Sequence, residues 1–201
     1  MAVLALIALL LGVLCGRLGG ENALFAALVS WDGVVLNLLM VSVGISIGQQ
    51  AGILQKIRQY HFKALIIPLG VTVGSLGAGL AGALLLGYPL AEGAAIASCM
   101  GWYSLGGATI GALSGGLYGS VAFLSNLLRE ILSFFGIPLL ARFLNPAACI
   151  AAAGATSEDT TLPMMMKYTD EESVVLSVLN GAICSAFVPV LINACYSIWG
   201  A

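Results

Sequence analysis

The sequence predicts an all-α membrane protein of about five transmembrane helices plus two re-entrant or broken helical segments, and three observations predict it. Hydrophobic residues make up 60% of the 201-residue chain and charged residues only 8%, where a soluble domain carries about 25% charge. Apolar runs of helix length recur from end to end, each long enough at about 1.5 Å per residue to cross about 30 Å of hydrocarbon. The 26 glycines are spread through those runs, as in packed transmembrane helices, where small residues let backbones approach. A soluble core of this size has no room for so much apolar surface, so the solvent is lipid. The net charge of −2 argues against nucleic acid as a partner. The whole chain, 1–201, reads as a single transmembrane domain.

The first helix covers 2–18. Ala2 to Cys15 is apolar and lacks the basic start of a signal peptide, and the span is short but within tolerance. Arg17–Asn22 (R-L-G-G-E-N) is a turn. A second helix follows over 31–48, with Asp32 placed to cap it. Gln49–Lys63 is the longest polar stretch and carries Lys56, Arg58, His61 and Lys63. A third helix runs over 63–86 and ends at the tight turn Gly87–Pro89. Helices at 119–142 and 172–198 follow, the last after an acidic link at Tyr168–Glu172.

Two segments do not read as ordinary spans. One is 91–113, containing G-W-Y-S-L-G-G (Gly101–Gly107). The other is 147–166, containing G-A-T-S-E-D-T-T-L-P (Gly154–Pro163). Both are apolar at the ends and rich in glycine and hydroxyls in the middle. Irregular backbone at membrane depth survives only where protein or a water-filled cavity surrounds it. Both therefore read as re-entrant hairpins or broken helices, the alternative being plain helices with tolerated Gly and Ser.

The basic Gln49–Lys63 stretch belongs in the cytoplasm. That puts the N-terminus inside and the C-terminus outside, with five of the six basic residues at segment ends facing inward. The layout also holds a weak inverted repeat. A helix from 63 precedes a broken segment centred near Ser104, and a helix from 119 precedes one centred near Ser157. Paired interrupted segments of opposite orientation point to a substrate site at the midplane.

Ionisable residues inside lipid are costly and mark solute or proton paths. Here they are Arg129, Glu130, Glu158 and Asp159. Their sum is negative, which favours a cationic solute. Asn126, Glu130 and Ser133 share one helix face, as do Ser173, Ser177, Asn180 and Cys184. Interhelical hydrogen bonding is the plain alternative for either stripe. Arg129 lies about 100° round the helix from Glu130, so it need not neutralise it. The candidate substrate- and proton-binding residues are Glu130, Asp159, Asn126, Ser157, Glu158, Ser104 and Asn180. The five cysteines form no C-x-x-C pair and there is one histidine, so neither a metal site nor a cofactor is expected.

G-W-Y-S-L-G-G, S-N-L-L-R-E (Ser125–Glu130) and G-A-T-S-E-D-T-T-L-P, in that order and spacing, resemble the signature of the bacterial lysine exporter family over essentially the whole chain. The resemblance implies an inner-membrane exporter of L-lysine and toxic lysine analogues. It also implies two required intramembrane acids, which fall on Glu130 and Asp159. Family members often carry a different residue at the position of Glu158. Full-length members resembling this chain carry further N-terminal sequence forming three helices, and some are split into a short and a long protein. The resemblance therefore leaves open a homo-oligomer or a complex with a separately encoded three-helix subunit. Exchange of lysine for protons is the expected mechanism.

Other classes are weaker. An intramembrane hydrolase using Ser157 or Ser104 needs a base, and His61 lies in the basic stretch. An aspartyl protease needs two membrane aspartates. A non-transporting scaffold subunit and a carrier of another small cationic or zwitterionic solute both stay open.

Overall fold

In the computed structural model, residues 2–18, 31, 34, 38, 41, 45 and 53–200 are described. They contain eight α-helices, numbered in order: α1 Ala2–Leu18, α2 Ile53–Leu86, α3 Leu90–Ser98, α4 Tyr103–Ser114, α5 Gly116–Phe143, α6 Pro146–Ala153, α7 Leu162–Tyr168 and α8 Glu171–Trp199. A 3₁₀ turn, Gly154–Glu158, links α6 to α7. No strand occurs among the described residues. Three stretches are long and apolar enough to cross a membrane: Leu65–Leu86 of α2, α5 and α8. The protein is an all-α membrane protein.

The chain forms two compact units, Met1–Val43 and Gly44–Ala201. Of the first, α1 matches the expected span. The helix expected at 31–48, including Asp32 and Asn37, lies outside the described residues apart from isolated positions. In the second unit, α2 starts at Ile53 rather than at Lys63. The polar stretch there is rich in Gln, Lys and Arg and holds no Gly or Pro from Ile53 to Ile67, so nothing in it stops a helix.

Both segments read as interrupted are interrupted. The first breaks at Cys99–Trp102, between α3 and α4. The second breaks through the 3₁₀ turn and the bend at Asp159–Thr161. Helix ends also sort onto two sides. The Ser114 hydroxyl at the end of α4 reaches Glu92 Oε1 at the start of α3 (3.4 Å), and Tyr88 and Tyr118 stack edge to face at 6.2 Å. The two ends of the first segment thus lie close together. At the other side a cavity of about 400 Å³ is lined by Ile66, Asn145, Ile150, Asp170 and Ser173 among others, where α6 and α8 begin. Asn145 caps α6 by accepting the Ala148 N–H (2.8 Å), with Pro146 opening the helix. Asp170 caps α8 through the Ser173 N–H (2.8 Å).

Helices pack through glycines. A Cβ on Gly79 of α2 would sit 2.5 Å from the Gly93 carbonyl oxygen of α3. One on Gly119 of α5 would sit 2.7 Å from the Gly111 Cα of α4. Only glycine allows backbones this close, as expected for helices associating in lipid.

Candidate functional site

The two breaks meet. The Ala155 N–H donates to the Met100 carbonyl across 2.9 Å, joining one break to the other by backbone alone. Met100 has φ +50°, a left-handed conformation that costs a non-glycine residue of order 1–3 kcal/mol. Gly154 has φ +64°, and a Cβ there would strike the Met100 carbonyl oxygen. The crossing therefore needs glycine on one strand and tolerates strain on the other.

Each break is fastened by an asparagine from a spanning helix. Asn126 of α5 accepts the Gly101 N–H (2.8 Å) and donates to the carbonyls of Ile96 (2.9 Å) and Ala122 (3.0 Å). Asn180 of α8 donates to the Gly154 carbonyl (2.9 Å) and to Ser157 Oγ (3.0 Å). Both asparagines are buried. Ser157 and Ser177 each donate to the other's carbonyl, at 2.8 and 2.7 Å. These bonds satisfy backbone groups that a broken helix leaves orphaned.

Glu130 shares the buried face of α5 with Asn126 and Ser133. It is 3% exposed, and its Oε2 is buried with no hydrogen-bond partner among the described residues. The Thr160 hydroxyl faces its carboxyl, and Asp159 is the neighbouring acid whose charge bears on it. Both acids also act on the hydroxyl of Tyr103 at the first turn of α4. Tyr103 is held by an edge-to-face contact with Phe123 at 5.2 Å. Arg129 points elsewhere, donating to Ser75 Oγ (3.0 Å) and to the Ala151 carbonyl (3.4 Å).

Glu130 and Asp159 are thus brought together, with Tyr103 and Thr160 as companions. Ser157 and Asn180 lie within the second break, and Asn126 fastens the first, its amide spent on backbone. Glu158 turns away from the acid pair, and its Oε1 accepts the Ser185 hydroxyl of α8 (3.0 Å). Asp159 is exposed, accepting from the N–H and hydroxyl of Thr160. Ser104 is exposed beside Tyr103. Tyr103 and Thr160 were missed in the sequence, although both sit inside the two motifs. Among the described residues, no three of His, Cys, Asp and Glu converge to hold a metal.

A family model described as Lysine exporter LysO matches residues 6–196. An Escherichia coli K12 protein named "Lysine exporter LysO" is 36% identical over 157 residues, covering 78% of this chain and 52% of that protein. A Haemophilus influenzae protein named "Putative lysine exporter" is 34% identical over 158 residues, covering 79% of this chain and 80% of its own length. The chain spans about half the length of the E. coli relative. No solved structure matches it.

Proposed function

Because the chain belongs to the lysine exporter LysO family, we propose that it exports L-lysine and toxic lysine analogues across the bacterial inner membrane, in exchange for protons. Glu130 and Asp159 form the binding site. The observation that carries this reading is the unpartnered, buried oxygen of Glu130 beside Asp159, where two interrupted helices cross. A carboxyl left so in lipid is satisfied by a proton or by a cation. That is the alternation an exchanger needs.

Lysine carries one net positive charge, and moving it outward opposes an interior-negative potential by about 2.3 kcal/mol per 100 mV. Coupling to inward protons offsets that cost. Lysine loads from the cytoplasm onto the acid pair, Tyr103 and Thr160 supply neutral oxygens around its ammonium, and protons from outside displace it. Asn126, Asn180 and Ser157 hold the crossing in place. In this reading both interrupted segments are re-entrant, the N-terminus is cytoplasmic and the C-terminus is outside.

The exposure of Asp159, Thr160 and Ser104 favours one addition. Exposed charge is costly against lipid, which supports a second copy or a separately encoded three-helix subunit over this face. A carrier of another small cationic or zwitterionic solute remains the alternative. A hydrolytic role has less support, because the Ser157 hydroxyl is already donated to the Ser177 carbonyl.

The test is resistance to a toxic lysine analogue in cells lacking their own exporter. Glu130→Gln and Asp159→Asn should each abolish resistance while the protein stays in the membrane at wild-type amounts. Full resistance in either variant removes that residue from the mechanism.

A further inference from the structure

The geometry points to a second ammonium-binding site, made by Glu92, Ser114 and Tyr196, at the end of the molecule where α2 finishes. The three side chains come from three helices: Glu92 from the first turn of α3, Ser114 from the last residue of α4, and Tyr196 from the last turn of α8. Ser114 Oγ lies 3.4 Å from Glu92 Oε1. The other carboxylate oxygen, Oε2, is buried and makes no hydrogen bond, and the buried Tyr196 hydroxyl has the Ser114 hydroxyl as its neighbour. Tyr196 lies beside Ser114 and Glu92, and the nearby thiols of Cys99 and Cys195 are weak partners for a cation.

A buried carboxylate oxygen with no donor is costly unless something donates to it. The acceptors are a carboxylate and two hydroxyls, all oxygen, one of them charged. A primary ammonium carries three N–H donors in a compact positive group, so three oxygens from three helices match it donor for acceptor. The site is separate from the acid pair, since α5 rises about 20 Å between Gly116 and Glu130. On the export reading, from which the choice of cargo follows, the lysine ammonium pauses here at one mouth, one half-helix from the crossing. Glu92 is not among the acids that the sequence motifs single out.

The test uses the full chain in nanodiscs and radiolabelled n-butylammonium, a primary ammonium with no carboxylate. A Glu130→Gln, Asp159→Asn background removes both central carboxyls from the measurement. Binding should persist there, should weaken about tenfold or more on adding Glu92→Gln, and about fivefold with Tyr196→Phe or Ser114→Ala. Tetramethylammonium, which has no N–H donors, should not compete, and sodium should not compete at equal concentration. If Glu92→Gln fails to fold, the two milder variants decide. Absent binding, binding unchanged in all three variants, or equal competition by tetramethylammonium or sodium overturns the site. Because no step requires transport, these outcomes are distinct from failure of lysine export in vesicles, which overturns the cargo alone.

Discussion

Replacing Gly181 by alanine tests whether the second break is seated directly on α8. A Cβ on Gly181 would lie 2.5 Å from the Glu158 Cβ and 2.6 Å from the Glu158 backbone nitrogen. Carbon atoms rest at about 3.5–4.0 Å, so the 3₁₀ turn must retreat by about 1–1.5 Å. Backbone is involved, so no rotamer change relieves the clash. Overpacking of this kind costs about 1–3 kcal/mol. The retreat also stretches the two Ser157–Ser177 bonds and the two Asn180 bonds, now 2.7–3.0 Å long, past bonding range. At roughly 0.6 kcal/mol for each such bond in a membrane protein, the total is about 3–5 kcal/mol. Asp159, next to the displaced Glu158, moves away from Glu130. Unfolding of the detergent-solubilised protein should show that loss, and analogue resistance should fall with it. Gly74→Ala is the control: it lies within α2 with nothing near its Cβ position, so alanine there should be neutral or stabilising by up to about 1 kcal/mol. A Gly181→Ala protein as stable and active as Gly74→Ala refutes the seating of the break on α8.

Three further outcomes follow from named contacts. Asn126→Ala orphans the buried Gly101 N–H and should cost about 1–3 kcal/mol in an unfolding titration. Tyr103→Phe removes one neutral oxygen beside the acid pair and should raise the KM for lysine about fivefold with little change in stability. Asp170→Ala removes a cap whose carboxyl is held below its ordinary range by the Ser173 N–H. A depressed folded-state value gives stabilisation that is full above the unfolded carboxylate range, near about 4, and fades as pH falls through the folded value. The variant should therefore melt lower than wild type at pH 7, and the gap should close on acidification.

The apolar runs bounded by glycine, proline or acidic turns were legible, since α5 and α8 fall within a few residues of the expected limits. Both interruptions were also legible, because glycines and hydroxyls cluster where a plain span needs neither. The start of α2 was not: Gln, Lys and Arg are helix formers as well as loop residues, and polarity alone does not separate the two. Side-chain direction was legible on regular helix and lost at the breaks. Period alone placed Asn126, Glu130 and Ser133 on one buried face and sent Arg129 elsewhere, towards Ser75. Glu158 and Asp159 are neighbours in irregular backbone, so no period says that one meets Ser185 while the other stays exposed beside Thr160. The meeting of Met100 with Ala155 joins residues 55 positions apart through backbone atoms common to every residue, and no side-chain pattern records it.

The central claim is most directly tested by labelled L-lysine in inside-out vesicles containing the protein together with any companion chain it needs. With the vesicle interior acidified, wild type should accumulate lysine, dissipating the gradient should stop it, and Glu130→Gln and Asp159→Asn should leave only background. Accumulation that ignores the proton gradient, or that survives loss of both carboxyls, contradicts the account.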